Sequence, residues 1–337
     1  MKALMIEAPG SAAVVERPEP SAGGEVLVRV ARAGLCGTDL STFLGKNPLV
    51  TYPRVIGHEI AGIVVHAGGA LSNVREGTAV AISPYKNCGA CVACRRGRPN
   101  ACRNNQTLGV QREGALAELV AVPAERLYTS AALDVDHLAL VEPFSIGMHA
   151  VRRGRVTADD SVLVIGCGGV GAGAVAAAAS RGAHVLAVDL DEGKLQLAKA
   201  FGAADARTSV DPSVTEWLAD HTKGEGPDVV IEAVGTAKTY RFALEVVASC
   251  GRVVCLGWVK GDVAIEARHI VAKEMEILGS RNATDEFADV IALFESRAID
   301  PLRVVTHRVT LDAVPAMLGE WARRPTAVGK VLVSVTS

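Results

Sequence analysis

Apolar and polar positions change their rhythm near residue 137. Before it, short β-branched runs at 26–33, 60–66, 78–82 and 116–122 are bounded by Gly, Pro or charged residues and predict strands; the first seven residues also begin as a strand. No long amphipathic helix is expected there, and the density of irregular loops points to a β-barrel-like domain that carries a site. Residues 137–153 turn helical. From 161 to 280 strand and helix alternate, with strands at 161–165, 184–188, 228–232, 252–256 and 276–278 and helices such as 191–201 and 236–248. That alternation predicts a doubly wound parallel sheet. A further helix is expected at 283–296, followed by strand, helix and strand at 304–309, 311–321 and 330–335. The final strand is read as completing the first domain, so that 1–148 with 297–337 encloses a second domain at 149–296.

At 337 residues the chain suits about two domains. A net charge of −2 with 21% charged residues gives no electrostatic reason for a nucleic-acid or membrane-surface partner. The stretch 162–179 is apolar enough to suggest a membrane span, but its five glycines and its strand–helix context argue against one. The N-terminus shows no signal-peptide core, so a cytoplasmic protein is expected. Eight cysteines in that compartment point to metal ligation or burial rather than disulfides.

Gly166–Gly171 reads Gly-Cys-Gly-Gly-Val-Gly, directly after one apolar strand, and the next apolar strand ends on Asp189. This is a dinucleotide fingerprint. Gly166 permits the tight turn, Gly168 lets the backbone approach a pyrophosphate, and Gly171 lets the helix lie against the sheet. The helix N-terminus offers N–H groups to the phosphates. Asp189 would accept the adenosine ribose hydroxyls and repel a 2′-phosphate, which favours NAD over NADP.

Cys88, Cys91, Cys94 and Cys102 share one glycine- and proline-containing loop, the lobe 86–104. Four thiolates at this spacing close a tetrahedral shell around zinc and leave no open position, so the expected site is structural. Cys36, His58, Glu59 and Glu142 form a second set, separated in sequence, whose chemistry suits a catalytic zinc with room for water or substrate.

Gly-Leu-Cys36-Gly-Thr-Asp39, Gly57-His58-Glu59, the cysteine lobe, Glu142-Pro143 and the glycine turn occur in one order along the chain. In that order they resemble the zinc-dependent medium-chain dehydrogenases of the alcohol dehydrogenase superfamily, over essentially the whole length. The resemblance implies a GroES-like catalytic domain, a Rossmann coenzyme domain and an active site in the cleft between them. Glu142-Pro143-Phe-Ser-Ile-Gly147 resembles the polyol and sugar-acid branch. There the residues matching Cys36, His58 and Glu59 hold zinc, and the one matching Glu142 acts through a water. Residues 52–59, 279–284 and 305–307 look most like the L-galactonate 5-dehydrogenase group, whereas the cysteine lobe also resembles threonine 3-dehydrogenases.

The implied activity is zinc-assisted oxidation of a small-molecule alcohol by NAD, with two zinc ions per chain. Thr38 matches the hydroxyl that starts the family's proton relay, but Ser41 stands where many relatives have a His. A substrate carboxylate would need a cation, for which Arg281 and then Lys46 are the candidates, with Asn282 beside Arg281. Gly166, Gly168, Gly169, Val170, Asp189, Lys194, Val234, Leu256 and Ser280 are the expected cofactor contacts. A homodimer or homotetramer is implied by the resemblance. A catalytically idle NAD-binding member is the remote alternative, disfavoured because Cys36, His58 and Glu59 are all present.

Overall fold

A computed structural model describes residues 1–68, 74–208 and 212–336, and the chain forms two compact units. The first comprises Met1–Glu142, Phe287–Glu295 and Pro301–Ser337; the second comprises Pro143–Glu286 and Ser296–Asp300.

In the first unit the central element is the strand Val26–Leu35, which is long enough to serve two sets of neighbours. On one side it pairs antiparallel with Glu59–His66 along most of its length. On the other, its first half pairs with Leu119–Val122 and its second half with Lys330–Ser334. The strands Ala79–Ile82, Leu127–Thr129 and Val305–Thr310 extend the sheet, while Lys2–Ala8, Ser11–Glu16 and Arg54–Val55 make a smaller one. Inward-facing Val26, Val28 and Val30 pack with Leu4, Ile6, Ile60 and Ile82, and the late helix Val314–Arg323 adds Leu318 and Trp321 to this core. Burying such apolar area is the main stabilising term for the unit.

In the second unit six parallel strands take the order Asp205–Arg207, His184–Val188, Ser161–Ile165, Val229–Glu232, Arg252–Cys255, Glu276–Gly279. The sheet is doubly wound and its central strands are fully buried, as their unbroken Val/Leu/Ile runs require. The helix Gly169–Ser180 carries only Gly, Ala and Val across its buried residues 171–178, so it can lie close to its neighbours: Gly147 approaches Ala174, and Gly173 approaches Phe144. Among the described residues no helix is long and apolar enough to cross a membrane.

Several expectations shift. The helix expected at 137–153 is two, Val135–Leu138 and Val141–Arg153. Pro143 explains the break, because a proline has no N–H for an intrahelical bond and is tolerated only in the first turn. The strand expected from residue 116 begins at Leu119, the preceding residues being held as a loop by Leu4 N–H to Leu116 O at 2.9 Å. In the first unit the helix Gly37–Phe43 stands outside the expected set.

Candidate active site

Cys36 is the residue that caps Gly37–Phe43, where the long strand ends and the chain turns into the helix. Two residues into that helix Thr38 places its hydroxyl 3.7 Å from Cys36 Sγ. Asp39, at the third position, accepts the Cys36 N–H at 2.8 Å and stands 3.7 Å from His58 Nδ1. The capping bond fixes the thiol and the carboxylate together.

The strand register does the rest. Glu59 lies opposite Gly34, and Lys330 enters beside Leu35 from the strand on the other side. A Cβ at Gly34 would fall 1.8 Å from Glu59 Oε2, so only glycine leaves the Glu59 carboxylate its space. Lys330 Nζ donates to both Glu59 oxygens at 2.5 and 2.7 Å, and to Leu35 O at 3.4 Å. Cys36, His58 and Glu59 bring their donor atoms within 4.8 Å of one another. Glu142, in the first turn of Val141–Arg153, is buried and accepts a short hydrogen bond from the Tyr85 hydroxyl.

Three buried carboxyls and a thiol thus face one buried ammonium, and the protonation equilibria show how short of positive charge the group is. Burial pushes Asp39 up, and pushes Glu142 up to about 7, with Glu59 adding to the effect. Burial would depress His58, but the Asp39 charge and then Cys36 outweigh it and hold its imidazole well above the ordinary range. His58 Nδ1 is buried without a hydrogen-bond partner. A thiol, an imidazole and a carboxylate in an electron-rich pocket fit a zinc ion.

In the lobe, Cys91 Sγ lies 3.5 Å from Cys94 Sγ and 3.8 Å from Cys102 Sγ, and Cys102 Sγ lies 3.5 Å from Cys88 Sγ. Zn–S bonds of about 2.3 Å at tetrahedral angles give S···S edges of about 3.8 Å. No disulfide is formed. The backbone N–H groups of Cys88, Cys91 and Asn104 point at sulfurs at 3.3–3.4 Å, and hydrogen bonds from Cys94 and Arg103 lower the Cys91 thiol to about 6. These contacts favour the thiolates of Cys88 and Cys91, the form that binds metal, whereas burial and then the neighbouring sulfurs push the Cys94 thiol up to about 12.

In the second unit the glycine turn has the geometry of a phosphate cradle. Gly166 has φ +90°, and a Cβ on Gly171 would lie 1.8 Å from Gly166 O. Gly168 faces open space, and the first intrahelical bond, Ala172 N–H to Gly168 O, leaves Gly169 and Val170 in the turn that precedes it. Asp189 accepts Cys167 N–H at 2.7 Å and Asp191 N–H at 3.0 Å, with Lys194 Nζ 4.0 Å away. Val234 is exposed in the loop after Val229–Glu232, whereas Leu256 is buried and its N–H is bonded to Glu232 O. After the last strand, Ser280 Oγ and Asn282 Nδ2 are buried without partners, and Arg281 between them is half-buried. Orphaned polar atoms at the carboxyl ends of parallel strands fit a bound small molecule. Lys46 is an exposed residue of the first unit.

Five residues outside the expected set shape these sites: Asp39, Tyr85, Glu232, Glu286 and Lys330. Glu232, fully buried, accepts from Val234 N–H, Gly235 N–H and Thr239 Oγ1 and so fixes the loop after its strand. Glu286 accepts from His149 Nδ1 at 2.7 Å and Thr284 N–H at 2.6 Å, anchoring the segment that carries Arg281 and Asn282. Burial alone would raise the Glu286 pKa, but the His149 and backbone bonds hold it down, at about 2. A depressed carboxyl contributes its stability above the unfolded value near 4.3 and loses it as pH falls toward 2. Glu286→Gln should therefore cost about 3 kcal/mol at pH 7 and progressively less below pH 4. Urea unfolding across that range checks this, and a pH-independent difference would sink it.

Residues 22–132 match the alcohol dehydrogenase GroES-like domain, and residues 169–296 match the zinc-binding dehydrogenase family. L-galactonate-5-dehydrogenase of Escherichia coli (strain K12) is 33% identical over 313 residues, 91% of each chain. L-threonine 3-dehydrogenase of Bacillus licheniformis is 34% identical over 296 residues, 86% of this chain and 85% of its own. A short chain alcohol dehydrogenase from E. coli CFT073, solved with the cofactor NADH, superposes with a TM-score of 0.91 at 30% identity over 99% of both chains. A protein named as a zinc-binding dehydrogenase from Sinorhizobium meliloti 1021, bound to NADP, gives 0.90 at 34% identity, again over 99% of both. The chain belongs to the zinc-type alcohol dehydrogenases, with a GroES-like unit and a Rossmann-type coenzyme-binding unit.

Proposed function

We propose that the protein oxidises a secondary alcohol of a polyol or sugar acid, an L-galactonate-like aldonate first among them, with NAD as the hydride acceptor. The observation that carries this reading is the Cys36–His58–Glu59 cluster with buried Glu142 in the same unit, which pairs a metal-binding donor set with a group able to exchange a proton near neutrality. Zinc bound there supplies Lewis acidity that eases loss of the substrate hydroxyl proton. Thr38 hands that proton outward, and Glu142 holds or releases a proton at its carboxyl. Ser41 lacks the basicity of the His it replaces, so the outer relay uses water, Glu142 or another group. The balance is one alcohol and NAD giving one carbonyl compound, NADH and a proton.

Asp189 and the open Gly168 turn support NAD as the cofactor, because a 2′-phosphate near a carboxylate already tied to two backbone N–H groups would be repelled. Arg281 and Asn282 bind the substrate carboxylate and hydroxyls, with Lys46 as a further cation. The two donor clusters support a stoichiometry of two zinc ions per chain. The working form is a homodimer or homotetramer in the cytoplasm. Its support is the open sheet edge Glu276–Gly279, where Ile277 is exposed, next to the exposed Val271 of the preceding helix.

The test is NAD reduction at mildly alkaline pH against L-galactonate, L-idonate, neutral polyols and L-threonine, with and without a zinc chelator, alongside metal analysis. Turnover confined to aldonates, abolished by chelation and at least tenfold weaker with NADP, is the expected result. Turnover of polyols alone would discard the carboxylate pocket, and turnover of threonine alone would move the substrate to an amino alcohol.

A further inference from the structure

We propose that Tyr85 is a positioning residue whose hydroxyl holds the Glu142 carboxylate in its working orientation and keeps it from swinging in as a further metal ligand. The inference rests on the reading of Glu142 given above. Tyr85 is 4% exposed and Glu142 6%, so the bond between the Tyr85 hydroxyl and Glu142 Oε1 is made out of water. Burial and the neighbouring Glu142 charge push the Tyr85 pKa well above its ordinary value, which keeps the hydroxyl protonated and donating. A catalytic zinc must keep a position open, and a second carboxylate free to turn into that position would close it. A hydroxyl on one carboxylate oxygen restrains the group's rotation and so guards that position.

The Tyr85 backbone is itself tightly held. Tyr85 pairs with Thr107 in a two-stranded ladder that closes the base of the cysteine lobe. Pro84 O accepts Leu108 N–H at 3.0 Å, and Ser83 N–H donates to Arg126 O at 2.8 Å. The lobe's exposed Cys88 and Val92 show how little core it has of its own, so its four sulfurs set the order of this base. The structural lobe thereby acts on Glu142 through one phenol.

The experiment compares wild type, Tyr85→Phe, Glu142→Gln and the double variant in two readouts. The first is the visible spectrum of the cobalt(II)-substituted protein, which reports ligand number and geometry. The second is kcat and KM with whichever substrate of the panel above is turned over. Tyr85→Phe should shift the cobalt bands, lower kcat about 10- to 100-fold, and leave zinc content and the KM for NAD unchanged. Added to Glu142→Gln, it should change neither readout further, because the hydroxyl acts only through that carboxylate. A wild-type spectrum for Tyr85→Phe, or equal shifts with and without Glu142, would overturn the proposal. If the panel yields no turnover, the functional reading fails, but the cobalt comparison still decides the role of Tyr85. Glu142→Gln alone, which leaves the tyrosine in place, provides a second route should the phenylalanine variant fold poorly.

Discussion

Lys330→Met is expected to lower the unfolding free energy of the zinc-free protein by about 3–5 kcal/mol, the cost of leaving one half of a buried ion pair uncompensated. Both Glu59 oxygens accept hydrogen bonds from Lys330 Nζ, and both side chains are almost fully excluded from water. Burial would depress the Lys330 ammonium, yet the Glu59 charge outweighs it and holds its pKa above the ordinary value. A divalent cation ligated by Glu59 would supply the missing positive charge. Zinc should therefore restore part of the lost stability, and by linkage the variant should bind zinc more tightly by the same free energy. Urea unfolding of metal-free and metal-loaded protein, with chelator competition for the affinity, measures both halves. A loss below 1 kcal/mol in the metal-free variant would mean that Glu59 finds another partner and the argument fails.

Gly171→Ala should raise the dissociation constant for NADH by at least 100-fold, roughly 3 kcal/mol. The added Cβ would sit 1.8 Å from Gly166 O and 2.8 Å from its carbonyl carbon, a clash of backbone with side chain that no rotamer change relieves. The helix must move off the turn, which takes the phosphate-facing N–H groups with it and strains the Cys167 N–H bond to Asp189. Gly168→Ala makes the informative contrast. Nothing of the protein lies within 4 Å of a Cβ there, so this variant should fold and melt as wild type and lose binding only through contact with the ligand. Calorimetric NADH titration and thermal melting of both variants separate the two effects. Normal NADH binding by Gly171→Ala would refute the close-approach account.

Local patterns in the sequence reached the second unit and the lobe well. Strand–turn–helix alternation and the Gly166–Gly171 spacing are contiguous, and so are the four cysteines, whose sulfurs the fold brings to tetrahedral edge lengths. Cys36, His58 and Glu59 are a different case. Their separation gave no geometric reason to join them; their donor chemistry beside a dinucleotide fingerprint, and then the family resemblance, did so before the register of the Val26–Leu35 strand set them side by side. Lys330 escaped because its partner lies 271 residues away, although an ammonium inside the apolar strand Lys330–Ser334 was itself a sign that a buried counter-charge must exist. The proline at 143 marked the helix break at 139–140, but the apolar periodicity around it ran on and hid the signal. Tyr85 had no sequence signal beyond standing three residues before Cys88, since the need for a donor on Glu142 arises only once that carboxyl is buried.

The pairing of Glu59 with Lys330 also sets a timetable for the protein's birth. On a ribosome the segments bearing Cys36, His58 and Glu59 emerge early, while the strand that slots between Val26–Leu35 and Val305–Thr310 emerges only after the whole coenzyme-binding unit has been made. Domains tend to fold as units while the chain is still growing. The inserted unit can thus be finished, and can hold its dinucleotide, before the metal pocket has its counter-ion or its last sheet neighbour. Nascent chains would carry a half-built acidic pocket, and competence for catalysis would begin with the arrival of Lys330.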